Sequence, residues 1–120
     1  FESVALFDLI TNNADRKGGA VLLDDDGKIW AIDHGLTFNP HARLRTVMWE
    51  FCGEEISPAL IEDLKSFRTL IEPGRSMAMA LGELIDDEVI EYLGIRIDNV
   101  IENPVFPVLD PDLNVPWPMV

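Results

Sequence analysis

Apolar positions in "ESVALFDLITNN" place Val4, Phe7, Leu9 and Ile10 within one stripe, which predicts an opening helix that ends near Asn12 or Asn13. The period then changes. In "AVLLDDDGKIWAID", residues Val21 to Leu23 and Ile29 to Ile32 are strand-like runs joined by an Asp-Gly turn signal at Asp26 and Gly27, and they predict a β-hairpin. "HGLTFNPHARLR", with Gly35, Asn39 and Pro40, reads as loop. From Arg43 the spacing becomes helical again. "RLRTVMWEFCG" predicts one short helix with Gly53 as its C-cap. "SPALIEDLKSFRTLIE" predicts a longer one, with Ser57 at the N-cap, Pro58 at the first helical position and Leu60, Ile61, Leu64, Phe67, Leu70 and Ile71 on one face. Pro73 and Gly74 end it.

"SMAMALGELI" and "DDEVIEYLGIRIDNVIE" predict two further helices, and Asp86 and Asp87 suit the positive end of the second. Five of the eight prolines fall in residues 104–120, so that stretch is expected to be extended, packing on its own chain with Trp117 as anchor. The fold class that follows is mostly α with a small β-hairpin. A two-stranded hairpin is marginal by itself, so this one is expected to lie on the helices.

Composition narrows the function classes. At 48% hydrophobic and 26% charged residues, the 120-residue chain has the make-up of one globular domain or one lobe of a larger one. Its 22 acidic and 9 basic residues give a formal charge of −13, which argues against nucleic acid and gives no support to stable membrane association. A local basic cluster remains compatible with a nucleotide. No basic-then-apolar leader opens the chain, and Phe1 stands inside an apolar pattern, which suggests a piece of a longer protein. A single cysteine, Cys52, forms no internal disulfide, and a cytoplasmic setting is expected.

The candidate chemistry lies at the two ends of the hairpin. Asp15 stands in the polar turn "NNADRKGGAVL", and Asp33 ends the strand "IWAID" before "HG". The ends of a hairpin lie close together, so the two carboxylates can converge on a metal–phosphate; equally, each can cap its own turn. Arg16 and Lys17 can steady a phosphate or neutralise the neighbouring acid. Gly18 and Gly19 can admit a ligand to the backbone or serve a positive φ. "DDDG" at 24–27 fits a hairpin turn better than a calcium loop, because Gly35 stands where the twelfth-position glutamate is required. His34 and His41 lack metal-ligand spacing, while Cys52, Trp30, Trp49, Met77 and Met79 have core-like positions.

As an ordered pair, "FDLITNNADRKGG" and "VLLDDDGKIWAIDHGLTF" resemble the catalytic centre of the phosphatidylinositol 3-/4-kinase-like family, above all type II phosphatidylinositol 4-kinases and their bacterial relatives. The resemblance covers residues 1–52, and the later helices match a helical C-lobe in kind. It implies the C-terminal lobe of a protein-kinase-like fold over residues 1–103, with the catalytic loop at 12–20, the hairpin at 21–33, helices from 43, and a Pro-rich extended tail at 104–120. It further implies that Asp15 takes the acceptor hydroxyl's proton, that Lys17 lies against the transferred phosphate, and that Asp33 holds Mg²⁺ against ATP. Ala20 stands where the kinase loop carries a second metal ligand, five residues after its aspartate, leaving a single metal, a substitute from Asn13 or His34, or a non-catalytic relative. No glycine-rich loop or strand lysine precedes Phe1, so a missing N-lobe is the expected partner and the chain alone is expected to be inactive.

Overall fold

A computed structural model describes all residues, 1–120. The chain is mostly helical, with one two-stranded antiparallel sheet, and divides into two compact units: residues 1–53 with 107–120, and residues 54–106.

The first unit opens with α1 (Glu2–Thr11), which stops at Asn12 in the left-handed conformation, φ 52°. Asparagine tolerates that conformation better than most side chains, and here its amide also donates to the carbonyls of Asn39 and Ala42 at 2.7 Å each. The stripe of α1 differs from expectation. Its buried residues are Ala5, Leu6, Asp8 and Thr11, whereas Val4, Phe7, Leu9 and Ile10 are half-buried. The buried face is the one that meets Arg16, and a salt bridge outweighs the apolar pattern in deciding it.

The hairpin forms where expected, with β1 (Val21–Leu23) antiparallel to β2 (Ile29–Ala31) and Leu22 opposite Trp30. Gly27 takes φ +80° in its turn, a conformation that costs other L-residues roughly 1–2 kcal/mol. The hairpin does not bury its apolar residues, however: Leu22, Leu23, Trp30 and Ile32 are exposed, Leu23 by 71%. It is tied down at its base instead, where the Ile32 amide donates to the Ala20 carbonyl at 2.9 Å. Trp30 is likewise not core. Its indole N–H donates to Asp24 at 2.8 Å, and Lys28 Nζ sits 4.0 Å from its ring centroid.

The helix expected over 43–53 is absent apart from a 3₁₀ turn at Trp49–Phe51. The amides of Arg45, Thr46 and Val47 donate outward, to the carbonyls of Asn13, Asn114 and Arg16 at 2.9–3.0 Å, so they have no helical bonds left to make. Thr46 and Val47 are β-branched and suit this extended course. Gly53 does take positive φ, +74°.

The tail has neither helix nor strand and carries a turn in which the Leu113 and Asn114 amides donate to the Asp110 carbonyl; its residues 107–120 belong to the first unit, where Trp117 is not the anchor but 84% exposed. Pro116 is the buried residue, and Asn114 anchors the tail by donating to the Leu44 carbonyl at 2.8 Å.

In the second unit, α2 (Pro58–Leu70) and α4 (Asp87–Glu102) follow the expected boundaries, whereas α3 (Ser76–Gly82) stops three residues before the end of "SMAMALGELI". Ile61, Leu64, Ile71, Leu93, Ile97 and Val100 are buried there, and each complete burial of a leucine or isoleucine contributes about 1.5–3 kcal/mol. Leu70, Met77 and Met79 are exposed, contrary to their core-like spacing. Main-chain bonds from Ile56 to the Pro104 carbonyl (2.8 Å) and from Phe106 to the Glu54 carbonyl (2.9 Å) close the unit. No helix is long and apolar enough to cross a membrane.

Candidate functional site

The polar turn between α1 and β1 is organised by Arg16. Its side chain is fully buried, and a buried guanidinium requires a partner for each of its five N–H groups. Nε and Nη2 meet the Asp8 carboxylate at 2.9–3.1 Å, Nη1 donates to the carbonyls of Ala20 (3.1 Å) and Ile32 (3.0 Å), and Nη2 also lies 3.2 Å from Nδ1 of His34. No donor remains to take a phosphate. Of the two roles open to Arg16 in the sequence, binding a ligand and neutralising an acid, the structure supports the second, toward Asp8 rather than Asp15.

The same bonds tie together the two segments that carry the candidate aspartates. Asp15 directly precedes Arg16, while Ile32 and His34, both gripped by Arg16, flank Asp33. The Asp15 amide donates to Asn13 Oδ1 at 2.9 Å, and Asn13, itself buried, donates to Asp8 at 3.0 Å. Main-chain bonds hold the rest of the loop: Ala14 to the Leu36 carbonyl and Arg16 to the Arg45 carbonyl, both 2.9 Å. Backbone bonds thus hold the loop, while Asp15 and Lys17 are only half-buried. Asp15 and Lys17 form an ion pair at 3.4 Å and retain 27% and 28% side-chain exposure.

Asp33 is exposed and takes φ 58°, left-handed backbone that aspartate tolerates but that still costs free energy. Its carboxylate is engaged in no hydrogen bond or ion pair with the chain, and Oδ1 would lie 3.8 Å from a methyl placed on Gly35. The following turn is closed by Thr37, whose amide and hydroxyl both donate to the His34 carbonyl, at 3.2 and 2.7 Å.

Nowhere are three or more His, Cys, Asp or Glu side chains grouped to hold a metal, so the protein alone forms no cage. One or two carboxylates completed by phosphate oxygens and water are nevertheless how Mg²⁺ is commonly held, and the unengaged Asp33 carboxylate fits that role. Asn13 does not fit it, because its amide oxygen and nitrogen are both occupied inside the turn. Ala20 offers only a carbonyl, which already accepts from Ile32 and Arg16.

Gly18 and Gly19 lie in a 3₁₀ turn, Gly18–Ala20, outside the positive-φ region. They face the tail: the Gly18 amide donates to the Met119 carbonyl at 2.8 Å, and methyls at 18 and 19 would meet Met119 O at 3.7 Å and the Val120 carbonyl carbon at 4.0 Å.

Two groups titrate away from their ordinary values. The Trp30 indole N–H, then the Lys28 amide and more weakly that of Asp26, hold the Asp24 carboxyl below the usual carboxylate range against a small opposing effect of desolvation. Burial pushes the Arg96 guanidinium down. A groove of about 890 Å³ in the second unit is lined by α2, α3 and α4 residues, among them Arg68, Met79 and Glu91, and by none of Asp15, Lys17 or Asp33.

Sequence reasoning missed Asp8. The signal was an acid inside an otherwise apolar helix, eight residues before an arginine in a turn.

This mostly helical chain with a hairpin-based polar centre is similar to the protein named Protein Rv2133c of Mycobacterium tuberculosis (strain ATCC 25618 / H37Rv), with 34% identity over 115 residues. The match takes in 96% of this chain, which spans 41% of that relative's length. No family model and no solved structure matches the chain.

Proposed function

We propose that this chain is the C-lobe of a kinase-like phosphotransferase that, in the full-length protein, moves the γ-phosphoryl group of ATP to a hydroxyl of a lipid, protein or small molecule. The observation that supports it most is the Arg16 tie, which joins the turn carrying Asp15 and Lys17 to the strand exit carrying Asp33. Phosphoryl transfer asks little covalent chemistry of a protein and much positioning and charge neutralisation, which a hydrogen-bonded loop carrying the half-buried Asp15 beside a strand exit carrying the exposed Asp33 suits.

In this reading the acceptor oxygen bonds to the γ-phosphorus as the bond to the β–γ bridging oxygen breaks. ADP leaves with that electron pair. Asp15 receives the hydroxyl proton and passes it to solvent. Lys17 offsets the charge of Asp15 at rest and of the transferred group in transit. Asp33 would hold Mg²⁺, which would neutralise phosphate charge when bound. The exposed apolar side chains of the hairpin, Leu22, Leu23 and Trp30, are suited to cover by the N-lobe expected as partner.

A second reading, a non-catalytic kinase-like scaffold, is favoured by Ala20 and by the occupation of Asn13, which together remove the residues nearest to hand as a second metal ligand. Calorimetric titration of the full-length protein with Mg²⁺-ATP separates nucleotide binders from chance resemblance. Binding that weakens at least tenfold in Asp33→Asn supports the metal role; equal affinity in both forms removes it.

A further inference from the structure

His34 lies beside Asp33 and has two ring nitrogens, either of which can in principle bind a cation or carry a proton. The contact with Arg16 decides between them. A guanidinium has five donors, no acceptor and no accessible deprotonated form, so at the 3.2 Å approach of Nη2 to Nδ1 the arginine donates and Nδ1 accepts. The proton of the neutral ring is then on Nε2.

The ring is also held mechanically. Phe7 packs against it edge-on, with centroids 5.1 Å apart and planes at 63°, while Thr37 fixes the His34 carbonyl with two hydrogen bonds. Arg16 is in turn immobilised by Asp8, Ala20 and Ile32. The residue is nonetheless exposed, and no group of the chain hydrogen-bonds Nε2.

We propose that Arg16 locks His34 as the Nε2–H tautomer, which makes it a hydrogen-bond donor to a phosphate oxygen of the nucleotide bound beside Asp33, and not a ligand of the cation. Ligation through Nε2 would require the proton to move to Nδ1, facing Arg16, which would leave a buried, charged donor without its acceptor. His34 is thereby removed, with Asn13, from the substitutes for the ligand missing at Ala20. The donor role rests on the phosphotransferase reading; the tautomer does not.

The test uses full-length protein labelled with ¹⁵N-histidine at neutral pH, with the His34 signals assigned by their loss in His34→Asn. The expected spectrum has a pyrrole-type Nε2 and a pyridine-type Nδ1, unchanged by Mg²⁺ alone. The opposite tautomer, a fast average of the two, or a Mg²⁺-dependent change at Nε2 overturns the lock. His34→Asn keeps an acceptor near Arg16 and loses the outer donor. With an unchanged melting temperature, it is expected to bind a non-hydrolysable Mg²⁺-ATP analogue about tenfold more weakly, the effect of one hydrogen bond to a charged group. Equal affinity overturns the donor role. If wild-type protein binds no nucleotide, the donor role falls together with the reading beneath it, and the spectrum still decides the tautomer.

Discussion

Asp8 and Arg16 form an ion pair that water does not reach, with Arg16 Nε 2.9 Å from Asp8 Oδ2 and side-chain exposures of 1% and 0%. Burying two charges is expensive, and their attraction repays this only when the remaining donors are satisfied, as those of Arg16 are. Removing one partner strands the other. Asp8→Ala is therefore expected to lose about 3–5 kcal/mol of unfolding free energy, more than its lost volume accounts for. Chemical denaturation measures it; a loss below about 1 kcal/mol would mean that the pair does not hold the turn.

Asp33 allows a separation of backbone from chemistry. Its left-handed φ of 58° suits asparagine as well as aspartate, whereas alanine there pays a steric penalty. Asp33→Asn should leave the melting curve within error of wild type, and Asp33→Ala should cost about 1 kcal/mol. Equal stability of the two variants would show that the strand exit relaxes to another conformation.

Asp24 carries a pH effect with a definite sign. Because its folded pKa is depressed, chiefly by the Trp30 indole N–H, its contribution to stability is fully present above the unfolded value of about 3.9 and is lost as pH falls through the lower folded value. Trp30→Phe should raise the Asp24 carboxyl titration toward the ordinary value, as followed by carboxyl-carbon NMR. An unmoved titration would assign the shift to the Lys28 and Asp26 amides instead.

Gly94, inside α4, faces the Arg68 guanidinium, and a methyl there would lie 3.2 Å from its Cζ and Nη2. Arg68 is the end of a flexible side chain paired with Asp98 at 2.9 Å, and both partners are partly exposed. Displacing it forfeits a surface pair worth about 0–1 kcal/mol, while alanine gains about 0.8–1.0 kcal/mol of helix propensity over glycine. Gly94→Ala should thus be neutral or stabilising by up to about 1 kcal/mol in urea unfolding. A clear destabilisation would show that the Arg68–Asp98 pair matters more than its exposure implies.

The parts of this molecule that depend on local pattern were readable from residues alone. Ser57-Pro58 and Pro73-Gly74 delimit α2, Asp86 marks the start of α4, and Asp26-Gly27 sets the hairpin turn. What depended on distant partners was not. The face of α1 is turned by Asp8 meeting Arg16, a tertiary pairing that apolar spacing does not encode. Residues 45–47 surrender their helix to main-chain bonds with Asn13, Arg16 and Asn114, one of them nearly seventy positions away along the chain. In the tail Pro116 is buried and Trp117 is not, since ring size says nothing of which neighbour the docking bonds at Asn114 and Met119 press inward. At the candidate site, Asp15, Lys17 and Asp33 were legible as residue types at a spacing. The Arg16 tie that joins their segments required three dimensions.

Asp15 as the working base is the central claim, and single-turnover transfer from γ-labelled ATP in the full-length protein tests it most directly. Wild-type protein is expected to consume the label in a Mg²⁺-dependent manner, and Asp15→Asn, folded to the same melting temperature, to do so at least about 10²-fold more slowly. Equal rates in the two proteins, or no Mg²⁺-dependent consumption by wild type, would contradict it.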